Sequence, residues 1–444
     1  MSPTHLPPAI VAATSALAVA VSAWATEHPD CSMADLETTV LTACRHAMPA
    51  LLEGALLASQ RSLATTPVRC PRCRHPALLW DWRERSIRTI CGLVRWQRPW
   101  AHCAACTTSF GAGDAALGLD SGARRSAGLT AQVVALGAST SFREAAALLA
   151  LTTGQAVSPE TIRSATAAAG AALAEQQDEA TTAYTAGQEP PLSEVVPGVL
   201  VVETDGVMLR YRDGWHEVKV GVVGGWDADK QRLQAMSYVA AREECGAFAQ
   251  RFGAEAARRG ALTVVGWHGA HRAVAELRPV VVLGDGAHWI WEAAAAQFGE
   301  RTEIIDYYHA CEHLTAAAGA LHGGASPQAA AWAQARCREL LAHGSERLLP
   351  QLATPAGLPA EAAKQLRTER GYFSGNQARM QYPHFQAAGL PIGSGAVESS
   401  AKQVVQQRLK RPGARWSEPG ARALLALRAQ QATTISLAAY ANAP

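Results

Sequence analysis

The spacing of apolar residues changes along the chain and divides it into two halves. In the first half, apolar positions recur every three to four residues over residues 33–63, and an Ala-rich segment of similar character covers residues 128–173. This spacing predicts helices. In the second half, short β-branched runs at residues 201–202 and 280–283 are followed by glycines, which predicts buried strands.

The order of the elements in the second half predicts a fold class. A β-meander comes first, and helices and strands then alternate, which fits an α/β sheet of the ribonuclease H type. After a first strand that closes at Asp205, strands are predicted at residues 215–223, 236–239, 280–283 and 303–306, and helices at residues 242–259 and 289–298.

Three acidic residues of this half each stand beside a structural break. Asp205 and Asp285 close β-branched runs and are followed by Gly206 and Gly286, so each is expected at the carboxyl end of a buried strand. Glu398 follows a Gly-Ser-Gly turn and is expected on a helix. Mg²⁺ and Mn²⁺ prefer such oxygen ligands, and a pair of these ions can serve both oxygens of an in-line phosphoryl displacement. The pattern predicts a two-metal site held by these acids.

Composition limits the alternatives. A chain of 444 residues is long enough for about two to four domains, and its net charge of +2 creates no global attraction to nucleic acid, so any DNA-binding surface must be local. Four of the ten cysteines form two Cys-x-x-Cys pairs, which indicates metal binding in a reducing compartment. We expect a cytoplasmic protein.

An apolar run at residues 10–25 imitates a secretory signal and ends in Ala-Trp-Ala. The first basic residue is Arg45, so the positively charged region that precedes such a signal is missing. The run is also short for a membrane span. We therefore expect a helical or disordered leader and no membrane partner.

The two cysteine pairs predict a zinc ribbon. Their thiolates suit tetrahedral Zn²⁺, and the segment between them alternates like the strands of a hairpin at residues 87–96. The four predicted ligands are Cys70, Cys73, Cys103 and Cys106. The remaining Cys91 is expected in the core.

Eight arginines and two acids lie between Arg69 and Arg98, which gives the ribbon a local basic face. Such a face can bind DNA phosphates, or its arginines can simply be solvated around a zinc that staples a small fold. DNA contact is the favoured interpretation.

Residues 141–166 predict a helix, a Gly-containing turn and a second helix that begins at Ser158-Pro159-Glu160. This is the order of a helix-turn-helix, whose second helix would bring Arg163 to a DNA groove. Most Ala-rich helix pairs are packing units, so the motif alone leaves both interpretations open.

A second metal motif competes with the acidic triad. His309, Glu312 and His313 match the H-x-x-E-H pattern of zinc peptidases, with Glu398 as a conceivable third ligand. The pattern is short and leaves Asp205 and the other strand-end acid without a role. The histidines can equally bond to core polar groups.

Six sequence blocks together resemble bacterial insertion-sequence transposases of the Kra group. The blocks are TDG at Asp205, GDGAHWIW at Asp285, DYYHACEHL from Asp306, YFSGNQARMQYPHF from Tyr372, GLPIGSGAVES around Glu398 and QRLKRPGARWS from Gln407.

The resemblance implies a ribonuclease H-like transposase with Asp205, Asp285 and Glu398 as a D-D-E triad, and with Asp306 and His309 as accessory residues near the site. It also implies an α-helical insertion between the second and third acids. The zinc ribbon and the helix-turn-helix would recognise terminal inverted repeats. At least a dimer is implied, because two transposon ends must be brought together.

The expected activity is metal-dependent cleavage at the ends of an insertion sequence, followed by attack of the freed 3′-hydroxyl on target DNA. Such an enzyme would be associated with the nucleoid when it acts. Basic and aromatic residues beyond the third acid are expected to contact DNA, although a solvated helix face would look the same. They are Lys402, Arg408, Lys410, Arg411, Arg415 and Trp416. The alternatives are a zinc metallopeptidase, a general ribonuclease H-like nuclease and a domesticated DNA-binding regulator.

The predicted fold class is an α/β ribonuclease H-like catalytic domain with an α-helical insertion, preceded by a zinc ribbon and a helix-turn-helix region. The predicted boundaries are leader 1–30, N-terminal helix 31–66, zinc ribbon 67–112, helix-turn-helix region 113–186, linker 187–198, catalytic domain 199–315 and 389–430, helical insertion 316–388, and tail 431–444.

Overall fold

The computed structural model describes residues 7–61, 68–120, 122–188, 198–261, 278–324 and 326–433. Most of the predicted linker 187–198 and most of the predicted tail 431–444 lie outside the described residues. Contacts divide the chain into two compact units, one built on residues 1–166 and the other on residues 167–436. The division falls inside a helix and not at the predicted linker.

The first unit begins with two helices, α1 (Pro8–Glu27) and α2 (Met33–Arg61), which pack on one another. A Cβ added to Gly54 of α2 would lie 2.8 Å from Cγ1 of Ile10, so the two helices are in close contact there. Within the described part of the chain, α1 is the one helix long and apolar enough to cross a membrane by length and composition. The helix extends beyond the apolar run at both ends, to 20 residues.

The cysteine pairs bracket an antiparallel sheet of order β1-β2-β3-β4. Its strands are β1 (Val68–Arg69), β2 (Pro76–Thr89), β3 (Gly92–His102) and β4 (Ser109–Gly111). The long β2–β3 hairpin accounts for the wide gap between the cysteine pairs. Ile87, Val94 and Trp96 form a small core near its tip. Cys91 lies partly buried in the hairpin turn, so its predicted core position was wrong.

Three helices follow, α3 (Ala127–Ser139), α4 (Phe142–Thr153) and α5 (Pro159–Thr185). Ser141 and Glu144 form a capping box that begins α4, and Gly154 ends it in the left-handed region at φ 74°. The Ser158 hydroxyl accepts a hydrogen bond from the Thr161 N–H at 3.1 Å, which caps α5. Helix, turn and helix therefore form at the positions expected from the sequence.

The second unit is built on a five-stranded sheet of order β7-β6-β5-β8-β9. Strands β5, β6 and β7 form an antiparallel meander, whereas β8 and β9 run parallel to β5. The strands are β5 (Val199–Tyr211), β6 (Gly214–Asp227), β7 (Arg232–Ala241), β8 (Val280–Gly284) and β9 (Arg301–Ile305).

Helices pack on this sheet around an apolar core that includes Leu200, Val202 and Leu283. Helices α6 (Cys245–Arg258) and α7 (His288–Gln297) pack on each other, and Phe252 of α6 packs on Gly221 of β6, where a Cβ would lie 2.7 Å from the Phe252 ring.

After β9 come α8 (Tyr307–His322), α9 (Pro327–His343), α10 (Ala360–Gly375) and α11 (Tyr382–Ala387). The predicted start of the helical insertion, residue 316, lies inside α8, because this helix begins directly after β9 and does not break there.

After α11 comes α12 (Gly395–Ser400), which continues into a π-helix (Ala401–Gln406) and α13 (Gln407–Leu409). Helix α14 (Glu418–Thr433) follows and packs on β7.

We expect Gly137→Ala to destabilise the first unit by about 1–3 kcal/mol, because overpacking a close helix contact forces neighbouring groups apart. The added Cβ would lie 2.9 Å from Cγ2 of Ile162 and closer still to the Thr166 hydroxyl. Unfolding followed by circular dichroism measures the effect. Gly246→Ala in α6 is the control, because its Cβ would meet nothing within 4 Å. Equal stability of the two variants would contradict this packing.

Candidate functional site

Asp285 lies where the sequence places it, directly after strand β8. One of its carboxylate oxygens, Oδ1, accepts a hydrogen bond from the Ala287 N–H at 2.8 Å, which fixes the turn that follows the strand.

Asp205 lies in the middle of β5, so its predicted position at a strand end was wrong. The strand does not stop at Gly206, because it continues as a hairpin with β6 to the pair Tyr211 and Gly214. The parallel pairing with β8 does stop, and its last pair is Glu203 with Leu283. Asp205 therefore lies just beyond the end of the pairing with β8, near the turn that carries Asp285.

Glu398 lies on α12, as expected from the turn before it. The three acids come from distant parts of the sequence, and their charges act on one another. Burial raises the pKa of Asp205, a hydrogen bond from the Gly206 N–H lowers it, and the nearby carboxylates of Asp285 and Glu398 raise it again. His309 also lies near enough to lower this pKa. The folded chain thus brings the three predicted acids and His309 into one electrostatic neighbourhood.

The acids form an open group. Within the described residues, the one set of three or more Cys, His, Asp or Glu side chains whose ligand atoms all lie within 4.8 Å of one another is the cysteine cluster of the ribbon. Asp205, Asp285 and Glu398 supply the oxygen ligands that Mg²⁺ prefers. Their chemistry fits a divalent metal, while their spacing is wider than that of the cysteines.

Glu203 is a buried acid of this region that the sequence analysis missed. It lies two residues before Asp205 on β5, and successive side chains alternate, so both point to the same face of the sheet. Its Oε2 accepts a hydrogen bond from the Val397 N–H at 2.8 Å. Burial raises the pKa of Glu203 to about 8, the hydrogen bond from Val397 lowers it, and the nearby Asp306 and Glu398 raise it. The sequence signal that could have identified Glu203 is an acidic residue within a run of β-branched residues.

Asp306, expected as an accessory residue near the site, is a buried helix cap. Its Oδ1 accepts hydrogen bonds from the N–H groups of Tyr308 at 2.6 Å and His309 at 3.2 Å, at the start of α8. Its Oδ2 accepts from the Ser394 N–H at 2.8 Å and from the Ser394 hydroxyl. Asp306 therefore ties the start of α8 to the turn that precedes Glu398.

The histidines do not form the peptidase arrangement. His309 Nδ1 lies 3.3 Å from a carboxylate oxygen of the exposed Glu312, while His313 Nδ1 lies 2.5 Å from Oε2 of the buried Glu369. Among the described residues, the ligand atoms of His309, Glu312 and His313 do not all lie within 4.8 Å of one another, as those of the four cysteines do. The geometry gives the peptidase interpretation no support.

Tyr372 of α10 braces the Asp285 turn. Its hydroxyl donates a hydrogen bond to the Asp285 carbonyl oxygen at 2.9 Å, and its ring stacks on His313 with the ring centres 3.7 Å apart. Gly286 has φ 105°, and a Cβ there would lie 2.7 Å from the Tyr372 ring. The turn after Asp285 therefore requires glycine both for its backbone conformation and for the close approach of Tyr372.

Two of the predicted DNA-contacting residues beyond Glu398 pack against each other, and the burial of Arg408 corrects its assignment, while Trp416 is half-buried. Arg408 is 3% exposed and lies over the Trp416 ring at 5.2 Å. The Trp416 indole N–H donates to the Leu409 carbonyl at 2.9 Å, and its backbone pairs with β5 at Tyr211. Three of the other predicted residues remain exposed, and Arg411 is half-buried. The exposed residues are Lys402, Lys410 and Arg415.

Arg163 lies exposed on α5, as a groove-reading residue would, but it forms an ion pair with Glu160 at 2.5 Å. Its cationic group is therefore partly neutralised by an acid from the same helix turn.

The cysteine cluster has the geometry of a zinc site. The Sγ atoms of Cys70 and Cys106 lie 3.5 Å apart, as do those of Cys73 and Cys103. Four thiolates at about 2.3 Å from one tetrahedral Zn²⁺ would be about 3.8 Å from each other. Hydrogen bonds with the Thr108 side chain and backbone lower the pKa of Cys106 to about 6, which favours the thiolate that binds zinc.

The basic face of the ribbon is smaller than its arginine count indicates. Arg85 and Arg98 are buried beside Asp114, with Arg98 in direct ion contact with it. Burial, with some repulsion from Arg85 and Arg83, lowers the pKa of Arg98 to about 10. Arg85 and Arg98 connect β2 and β3 to the segment after β4. They are therefore not available to bind phosphate on the predicted basic face.

The chain belongs to the uncharacterised protein family UPF0236, whose family model matches residues 69–320, more than half of the chain. It is also similar to the UPF0236 protein in vanSb 3′region of Streptococcus gallolyticus, with 25% identity over 343 residues that cover 74% of this chain and 68% of the relative. The family description assigns no activity.

We expect Cys106→Ser to abolish stoichiometric zinc binding and to lower the thermal stability of the ribbon, since a structural zinc contributes directly to folding. Metal analysis of the purified protein and its melting curve measure the two effects. Cys91→Ser is the matched control, because Cys91 lies outside the four-cysteine cluster. Equal zinc content in both variants would refute the assignment.

Proposed function

We propose that the protein is a DNA transposase that cleaves the ends of an insertion sequence and joins them to target DNA through Asp205, Asp285 and Glu398. The observation that carries the proposal is the placement of these acids: Asp205 lies on β5 just past its last pair with β8, Asp285 follows β8, and Glu398 lies on α12, which contacts β5.

The topology supports a ribonuclease H-like catalytic domain. An antiparallel meander followed by two parallel strands gives the order β7-β6-β5-β8-β9, with the first strand at the centre. Asp205 on that central strand and Asp285 after its parallel neighbour lie at the edge where such a sheet leaves its ligands accessible. The third acid is on the helix that packs on the same central strand.

The chain's own groups prepare this site for phosphoryl transfer. Asp205 and Asp285 each accept a backbone N–H, from Gly206 and Ala287 respectively, so one oxygen of each carboxylate is oriented locally. When bound by these carboxylates, Mg²⁺ or Mn²⁺ ions would activate the attacking oxygen and stabilise the leaving oxygen. His309, near Asp205, adds a group that can hold a proton or contact a phosphate.

DNA contact by the ribbon is supported by exposed apolar side chains on β2, Leu78 and Trp80, at the β-bulge of the hairpin. Leu78 is 77% exposed and Trp80 is 72% exposed, which is unusual for apolar side chains of this size. The exposed Arg72 and Arg74 lie on the adjoining cysteine knuckle. Aromatic rings beside arginines are the combination that stacks on bases while cations contact phosphates.

We expect Asp205→Asn, Asp285→Asn and Glu398→Gln each to lower Mg²⁺-dependent cleavage of the element's terminal repeats by about 10³-fold or more, because metal stabilisation of a phosphoryl transition state is worth several kcal/mol. DNA binding should be retained. A strand-transfer assay with labelled donor ends measures cleavage and joining separately.

Glu361→Gln is the control for this series, because Glu361 is an exposed acid in the first turn of α10 whose change should leave cleavage intact. Cleavage without joining by the unaltered protein would indicate a general nuclease. Binding without cleavage would indicate a regulator.

We expect Trp80→Ala to weaken binding to terminal-repeat DNA by about tenfold, since stacking of an aromatic ring on a base is worth about 1–3 kcal/mol. Fluorescence anisotropy at fixed salt measures the change. Trp215→Ala is the matched control, because Trp215 is 56% exposed on β6 outside the ribbon. Equal affinity of both variants would remove the β2 surface from the DNA interface.

A further inference from the structure

Glu203 has no role in the D-D-E scheme, yet it is as deeply buried beside it as the helix cap Asp306. Its side chain is 1% exposed, and it shares a face of β5 with Asp205. A carboxyl group is rarely buried unless it is paired, because desolvation is costly.

The groups around Glu203 do not neutralise it. Its charged neighbours are the acids Asp306 and Glu398, and among the described residues it forms no ion pair with a cationic side chain. The hydrogen bond from the Val397 N–H is the favourable polar contact that the structure gives it. The position is therefore electrostatically unfavourable and is occupied by an acid all the same.

The partner of Glu203 is informative. Val397 is the third residue of α12 and immediately precedes Glu398. The Val397 N–H is shared, because it also lies 3.1 Å from the Ser394 carbonyl oxygen, and its shorter contact of 2.8 Å is the one with Glu203. An acceptor from outside the helix at this first turn fixes both the start and the direction of the helix. In α12, the capping residue Ser394 makes no side-chain bond to the helix, because its hydroxyl donates to Asp306. Glu203 thus replaces the local cap from across the fold.

Helix α12 also depends on tertiary contacts for its position. It has six residues before the backbone changes to a π-helix at Ala401–Gln406, and the continuous helical segment ends at Leu409. Isolated helices of about 15 residues or fewer are marginally stable in water, so tertiary contacts set the geometry of this segment. A small rotation of α12 would move the Glu398 carboxylate relative to Asp205.

We propose that Glu203 is a positioning residue, which sets the orientation of α12 through Val397 and thereby places Glu398 for joint cation binding with Asp205. This inference rests on the proposed function, because the cation is the one that the D-D-E acids would share. Glu203 is not assigned as a ligand, since its Oε2 is engaged with the backbone.

Two substitutions separate positioning from stability. Glu203→Gln keeps an oxygen acceptor for the Val397 N–H and turns an NH₂ group toward the neighbouring acids. Glu203→Leu fills a similar volume without an acceptor, and replacing a buried charge by an apolar side chain is often neutral or stabilising. Thr204→Val is the control on the opposite face of the same strand, where Thr204 is equally buried.

The first measurement is hydrogen exchange of the full chain without added divalent metal. We expect Glu203→Leu to accelerate exchange in the peptide that contains residues 393–400 by at least about tenfold, the effect of losing one buried hydrogen bond. Glu203→Gln and Thr204→Val should match the unaltered protein. Unchanged exchange in Glu203→Leu would overturn the proposal whether or not the protein is a transposase.

The second measurement is Mn²⁺ binding to the zinc-loaded full chain, with Asp205→Asn defining the binding that belongs to the acidic site. We expect Glu203→Leu to weaken this binding by about tenfold or more and Glu203→Gln to restore it to within about threefold. Faster exchange with unchanged Mn²⁺ affinity would reduce Glu203 to a structural cap and overturn the proposal. No Asp205-dependent binding in the unaltered protein would overturn the proposed function itself, which the exchange measurement does not depend on.

Discussion

The position of Glu398 depends on hydrogen bonds from backbone N–H groups to two buried carboxylates. Asp306 accepts from the first turn of α8 and from Ser394, and Glu203 accepts from Val397. The segment between these contacts is a turn and a short helix that propensity alone would not stabilise. Burial and the neighbouring acids raise the pKa of Glu203 and so disfavour its charged form, and the hydrogen bond from the Val397 N–H offsets part of that cost. The same contacts that order the third acid therefore cost stability that the apolar core must offset.

The turn that carries Asp285 is held in place by the helices between β9 and α12. Tyr372 reaches the Asp285 carbonyl, stacks on His313 and closes over Gly286, and His313 is fixed in turn by the buried Glu369. These helices therefore act on the site through the backbone of the Asp285 turn, and the carboxylate of Asp285 stays free of them. The helices between Asp285 and Glu398 thus separate these two acids in the sequence. Their packing can still bring the acids close together in the fold.

Local patterns were predictable, and long-range partnerships were not. The cysteine pairs, the helix start at Ser158 and the strand before Asp285 depend on residues close in sequence, and each has a distinct signature. Asp205 was misplaced within its strand because Gly206 resembles a strand end, whereas its real conformation is set by pairing with β6. Arg408 and Trp416 looked like a DNA-binding pair in a basic segment, but their contact with each other and with β5 arises only when α13 and the following turn pack on the sheet. The role of Glu203 was hidden for the same reason, since its partner lies 194 residues away.

Charge placement gives the strongest constraint on how such a chain could hold DNA. The net charge of +2 supplies no general attraction, so affinity must come from the cations that the fold leaves exposed. Burial removes Arg85, Arg98 and Arg408 from that set, and Glu160 partly neutralises Arg163. The exposed arginines of the first unit include Arg72 and Arg74 on the cysteine knuckle, before exposed Trp80 in the sequence. In the second unit, the exposed cations that follow Glu398 include Lys402, Lys410 and Arg415. Because a few local cations give modest affinity, aromatic stacking must supply part of the binding, and the ribbon surface is where the fold leaves large aromatic rings uncovered beside arginines.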